Sequence, residues 1–356
     1  MLATYRTDRS YDWNYRHGPT FAGRVPAVPA TPEKAFLGLP VRSRIGIAAG
    51  LLLNSRWVAL YARLGFDILT YKTVRAAARR SHPMPNWVFL AGARGGFPRG
   101  AAASARTAPR RGAAAAALAR TVSLGLPSTA PAVRLRDGAR ARRALGSGQV
   151  LNVSVVASPA PGAPAARMVD EFARLAGLAC EAGAQIVEAN LSCPNVCSAE
   201  GDIYHDAALS GRIARAMKRA AGATPVLLKV GYLPARRRLG RLLEAVAGGA
   251  DGVVMVNGIP ARIERPDGAA AFGRGRASAG VLGRMVHAPS VAQVRSAAAL
   301  VRELGLPLAV IGVGGVATPG DAGDFFAAGA QAVMLGSAPM YDPLLAVRIK
   351  RAHPEW

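Results

Sequence analysis

The sequence predicts an α/β fold, a (β/α)8 barrel of the TIM class, and three observations predict it. Short apolar runs alternate with helical patterns, the runs number eight, and residues able to bind or react follow directly after them. At 356 residues, 51% hydrophobic, the chain can bury a core of the size such a barrel needs.

SRIGIAAG (43–50) and FDILTYKTV (66–74) read as the first two strands, separated by the helix-like RWVALYARLG (56–65). Residues 75–147 then interrupt the beat as an insertion whose one regular signal is TVSLGLPS (121–128). A long loop inside a compact domain is commonly functional, so this one is expected to cover the site. The beat resumes with VLNVSVVA (150–157), the helical MVDEFARLAGLACEAG (168–183), QIVEANLS (185–192), the helical AALSGRIARAMKRAAG (207–222) and PVLLKVGYL (225–233). RRLGRLLEAVAGGA (237–250) leads to DGVVMVNGI (251–259), PSVAQVRSAAALVRELG (289–305) to PLAVIGVGG (307–315), and GDAGDFFAAGA (320–330) to QAVMLGSA (331–338). The implied organisation is an N-terminal extension (1–42), a barrel (43–345) carrying the insertion, and a C-terminal tail (346–356).

The formal charge of +24 raises nucleic acid or an anionic membrane as a partner. Its distribution argues otherwise: arginines between Arg75 and Arg143 alternate with alanine and glycine and have almost no aromatic neighbours, so no base-stacking platform is visible. The expectation is solvated loops and helix faces, a small-molecule substrate, and neither nucleic acid nor membrane as partner. No run approaches the roughly 20 apolar residues of a spanning helix, and the first residues lack an apolar signal core, which predicts a cytoplasmic protein. Cys180, Cys193 and Cys197 are too few and too irregular for a disulfide framework or a tetrahedral metal site. The five histidines show no ligand spacing either, and no metal is expected. A homodimer stays open.

In a barrel of parallel strands the site lies at the strand C-termini. That rule gathers Lys72, Asn190, Cys193, Asn195, Lys229, Asn257, Gly314, Gly315, Gly336 and Ser337 on one face. The glycine clusters IGVGGVATPGDA (311–322) and MLGSA (334–338) expose backbone N–H groups that can hold a phosphate, or are simple tight turns. Lys229 either neutralises an electron-rich cofactor ring or is a solvated strand end. In ANLSCPNV (189–196), Pro194 marks where the chain leaves the sheet, which sets Asn190, Cys193 and Asn195 at the rim. Cys193 reads as a general base flanked by orienting amides, or as a small buried hydrophobe.

NLSCPN (190–195), with GIAAGLLLN (46–54), YKT (71–73), LLKV (227–230), MVNG (255–258), IGVGG (311–315) and AVMLGSA (332–338) in that order, resembles the dihydroorotate dehydrogenase family of FMN-dependent barrels. The resemblance covers most of residues 43–345. It implies FMN with its phosphate on Gly314, Gly315, Gly336 and Ser337, its ring beside Lys229 and over Ala48, Ala49 and Gly50, with Lys72, Thr73 and Gly280, in the loop after the sixth strand, contributing. It implies catalytic roles for Cys193, in the base position of the soluble class, and for Lys72. Asn190, Asn195, Asn257 and the loop residues Leu124, Gly125 and Leu126 are the implied substrate contacts. The implied reaction is oxidation of dihydroorotate to orotate, in pyrimidine biosynthesis.

Two positions depart from the family pattern: Val122 stands where an asparagine is expected, and Gly258 where serine or threonine follows Asn257. Both losses keep open a flavin dehydrogenase acting on another dihydropyrimidine or a specialised metabolite. A tRNA dihydrouridine synthase-like enzyme would suit the charge, but NLSCPN and the lack of a separate RNA-binding domain argue against it. A flavin-binding relative without turnover is disfavoured by Lys72 and Cys193.

Overall fold

A computed structural model describes residues 3–92, 97, 104–108, 117–160, 162–192 and 202–356. The strands are β1 (Lys34–Phe36), β2 (Leu39–Val41), β3 (Ile45–Leu52), β4 (Ile68–Arg75), β5 (Trp87–Phe89), β6 (Ser104–Arg106), β7 (Ala119–Val122), β8 (Val150–Val156), β9 (Ile186–Asn190), β10 (Val226–Lys229), β11 (Gly252–Met255), β12 (Ile259–Glu264), β13 (Ser278–Gly283), β14 (Ala309–Val313) and β15 (Ala332–Leu335). Eight of them, β3, β4, β8, β9, β10, β11, β14 and β15, pair in parallel in that order, and β15 returns to β3 to close the barrel. These are the eight strands that the sequence pattern predicts.

The helices follow the same logic: α1 (Tyr11–His17), α2 (Ser55–Arg63), α3 (Pro131–Arg143), α4 (Ala165–Glu181), α5 (Ala207–Ala221), α6 (Arg236–Val246), α7 (His287–Glu303), α8 (Pro319–Ala327) and α9 (Leu345–Ala352). In α4, Met168, Val169, Phe172, Leu175, Ala176 and Ala179 are buried, the three-to-four spacing of a helix that covers a sheet with one face. Strands β8 and β9 are buried at every position, as expected of strands with a barrel interior on one side and helices on the other.

Interior side chains including Ile68, Val150, Ile186, Leu227, Ile311 and Met334 form their own apolar cluster, joined by Phe36 and Val41 of the β1–β2 hairpin. The hairpin therefore plugs the end of the barrel where the strands begin. At that end, Asp67 receives bonds from Ser43 (2.6 Å) and Lys350 of α9 (2.5 Å). The opposite, C-terminal end is left for chemistry.

Over that end lies a second sheet, which the sequence reading did not foresee. Its order is β5-β7-β13-β12-β6, so the insertion and the segment after the sixth barrel strand build one five-stranded cap together. Gly280, expected in a loop, is in strand β13 opposite Val122 and Pro260. The expectation that the arginines of the insertion are solvated also fails at particular places, since Arg75 is 4% exposed and Arg120 and Arg134 are each 1% exposed. Arg134 donates to the Leu53 carbonyl (2.5 Å) and the Tyr11 hydroxyl (2.7 Å), tying α3 to the barrel and to α1. Among the described residues, no helix is long and apolar enough to cross a membrane.

Candidate active site

Two irregularities in the ladder aim side chains into the barrel mouth. The β3–β4 register shifts between Ile47 and Leu52, which displaces Ala48, Ala49 and Gly50, and the β4–β8 register shifts between Tyr71 and Val74, which displaces Lys72 and Thr73. Bulges at a barrel rim redirect residues in this way. Both groups line one cleft enclosing about 1300 Å³ of non-atom space, its open mouth included. Lys72 is 5% exposed, and Thr73 shares a hydrogen bond with Ser154 of β8 (3.1 Å).

The next strands bring the amides. Lys229 stands beside Asn190 in the β9–β10 register, so a cation and an amide emerge side by side. Asn257 donates to the Ser192 carbonyl and, at 3.4 Å, to Asn190 Oδ1, while its own Oδ1 accepts from Gly258 N (2.9 Å). Asn190 Oδ1 also accepts from Ser192 N (3.3 Å), so the backbone that leads into NLSCPN is held by both amides. Cys193 and Asn195 lie outside the described residues.

Lys229 is not a solvated strand end, being only 4% exposed. Burial pushes its ammonium below the ordinary lysine range, and the nearby Glu188 carboxylate opposes that shift. Burial pushes the Glu188 carboxyl up, with Lys229 opposing it first and hydrogen bonds from Ser154 and Asn152 next. Each charge thus offsets part of the cost of burying the other, and Lys229 also lines the cleft.

At the far end, Gly314 (φ +140°) and Gly315 (φ +70°) adopt backbone that side chains disfavour. A Cβ on Gly314 would meet Ser290 Oγ at 2.2 Å, and one on Gly315 would meet Gly283 O and His287 Cβ at 2.7 Å. Gly336 has nothing within 4 Å of where a Cβ would sit. Two turns thus present bare backbone to the cleft, and α8 begins just beyond with Thr318 and Asp321 forming its capping box. This is a cradle suited to a phosphate. His287 shares a hydrogen bond with the Gly314 carbonyl (3.1 Å) and another with Asp324 (2.9 Å), bracing the turn from behind.

The cap supplies the opposite wall. Leu124 and Leu126 line the cleft, and Leu126 holds a positive φ of +52° that a bulky residue takes only when its surroundings enforce it. Gly125 does not line the cleft; a Cβ there would meet the His82 ring at 2.4 Å, so its role is to let the loop pass His82. Gly258 packs on the cap as well, with Gly280 Cα and Leu282 Cδ2 about 3.1–3.2 Å from its missing Cβ, which leaves no easy room for the family's serine or threonine. Several cleft residues carry no sequence signal: Tyr5, Trp87, Arg120, Leu282 and Met340 enter only through long-range pairings of the cap and the extension.

The dihydroorotate dehydrogenase family model matches residues 139–355. A dihydroorotate dehydrogenase of Dictyostelium discoideum is 30% identical over 360 aligned positions, covering 97% of this chain and 95% of that protein. The catalytic subunit of a dihydroorotate dehydrogenase B (NAD(+)) from Solidesulfovibrio magneticus is 33% identical over 193 residues, 52% of this chain and 59% of that one. A protein named putative dihydroorotate dehydrogenase A (fumarate) from Solibacter usitatus is 36% identical over 191 residues, 51% of this chain and 55% of that one. A family match over more than half of the chain, together with a nearly full-length relative, establishes that the chain belongs to the dihydroorotate dehydrogenase family, whose members are flavin-dependent oxidoreductases.

Proposed function

We propose that the protein binds FMN and oxidises dihydroorotate to orotate, with Cys193 as the base. The observation that carries this reading is the single cleft in which the bare glycine turns lie at one end and Lys72, Asn190, Lys229 and Asn257 at the other. Its ends match the two ends of a flavin mononucleotide facing a small anionic ring: backbone donors for a phosphate, and a buried ammonium for the electron-rich part of the isoalloxazine. When bound, FMN supplies the acceptor for the hydride that leaves one substrate carbon.

This chain's residues do the rest. Cys193, as thiolate, takes the proton from the neighbouring carbon, which requires an environment that lowers its pKa toward neutrality. Asn190, Asn195 and Asn257 hold the ring, since each amide offers donors and an acceptor in one plane. Lys72 pairs with the carboxylate. Leu124 and Leu126 exclude water from the face opposite the barrel. In this reading the barrel of residues 43–345 is the catalytic unit, and the insertion of 75–147 acts with the segment after the sixth strand as its cover.

Val122 and Gly258 favour a second reading, a related dihydropyrimidine as substrate, because each removes a hydrogen-bonding side chain at the cap wall. One experiment separates the two. The purified protein is expected to show a flavin absorption spectrum, to release FMN on heating, and to bleach under anaerobic conditions when dihydroorotate is added. Bleaching by another dihydropyrimidine but not by dihydroorotate would select the second reading, and an apoprotein that takes up no FMN would sink both.

A further inference from the structure

We propose that Arg120 is a cofactor-binding residue, supplying the fixed positive charge that the flavin phosphate requires; this rests on the FMN reading above. Arg120 sits within β7, paired with Phe89 of β5 and Leu282 of β13, and is 1% exposed. A guanidinium so deeply buried is costly unless its donors are used. One of them is placed tellingly: Nη1 donates to the Ser337 carbonyl at 2.9 Å, the residue that ends the second glycine turn. Its Cζ lies 4.8 Å from the centre of the Tyr341 ring, just beyond the same turn. Arg120, Gly314, Gly315, Gly336 and Ser337 all line the one cleft. The cap therefore reaches down and grips the barrel's last loop where the phosphate is proposed to sit.

Charge balance points the same way. A phosphate monoester carries between one and two negative charges near neutral pH, and the glycine turns offer only backbone dipoles. Among the described residues lining the cleft, Arg284 is the second arginine, and it donates to the Asp321 carboxylate at 2.8 Å. Arginine stays protonated throughout the working range, and its planar fork suits phosphate oxygens.

The test compares FMN with riboflavin, which shares the ring and ribityl chain but lacks the phosphate. Apoprotein affinities would be measured by quenching of flavin fluorescence for the native protein, Arg120→Met and Arg120→Lys. The expected result is a loss of FMN affinity of about 10–100-fold in Arg120→Met, the usual worth of a hydrogen bond to a charged group, with riboflavin affinity unchanged. Arg120→Lys should fall between, and the ³¹P resonance of bound FMN should move in Arg120→Lys. Equal losses for the two flavins, or an unmoved ³¹P resonance, would show that Arg120 only braces the Ser337 turn. If Arg120→Met does not fold, Arg120→Lys decides alone by the same comparison. Native apoprotein that binds neither flavin would overturn the FMN reading itself, a result distinct from a loss shared equally by the variants.

Discussion

The two walls of the cleft are built on opposite principles. The barrel wall carries Lys72, Asn190 and Lys229 on strands with no free edge, each strand braced by a neighbour on both sides, and Asn257 in the segment just past β11. The cap wall is an open sheet whose terminal strands, β5 and β6, are three residues long, and it turns Val122, Leu124, Leu126 and Leu282 toward the same space. These four polar groups of the cleft come from the closed barrel, and the cap, Arg120 aside, turns mainly apolar groups toward it. The difference teaches a division of labour: the barrel fixes the chemistry, and the cap sets access and fit.

The largest effect should appear in amide hydrogen exchange. Amides of β8 are expected to exchange only through global unfolding, and those of β5 and β6 through local opening, a gap of about three powers of ten or more. Equal protection of the two sheets would break the comparison, because the cap would then be as fixed as the barrel.

Next come the buried charges Glu188 and Lys229. In Glu188→Gln, Lys229 loses the carboxylate that opposes the effect of burial, so its pKa should fall further. A lysine with a depressed pKa gives stability that is present above its ordinary value and lost as pH falls through the depressed one. The variant should therefore match the native protein most closely at alkaline pH and fall progressively behind it toward neutrality. Thermal midpoints across that range are the measurement; parallel curves would mean that Glu188 and Lys229 do not share their charge.

The smallest effect tests the cap. Val122→Asn restores the family's amide at a position 9% exposed that faces the cleft. One added hydrogen bond is worth about 1 kcal/mol, so dihydroorotate should bind roughly fivefold tighter, as read by equilibrium titration of the flavin spectrum. Weaker binding would indicate that the native substrate presents an apolar group to Val122.

The same contrast explains what was legible in the sequence. Every barrel strand carries its own local signature, an apolar run followed by its helix, so all eight were readable, and so was the gathering of Lys72, Asn190, Lys229 and Asn257 at their ends. The cap was not readable, because β6 pairs with β12 across more than 150 residues and no local periodicity encodes such a partner. Arg120 and Arg134 look in sequence like their solvated neighbours; only the placement of a ring or a carbonyl beside each one distinguishes them. Gly280 was singled out through the family resemblance as a loop residue, yet its strand pairing was invisible for the same reason as the rest of the cap.

The central claim is that Cys193, three residues after Asn190 in the sequence, removes the substrate proton. Anaerobic stopped-flow reduction of the bound flavin by dihydroorotate tests it most directly, since it isolates this half-reaction from the electron acceptor. Cys193→Ala is expected to keep its FMN and its fold and to slow flavin reduction by about two to four powers of ten. Cys193→Ser should retain part of the rate with a pH optimum moved upward, because a hydroxyl needs stronger help to act as a base. Flavin reduction in Cys193→Ala as fast as in the native protein would contradict the account and leave the cysteine a packing residue.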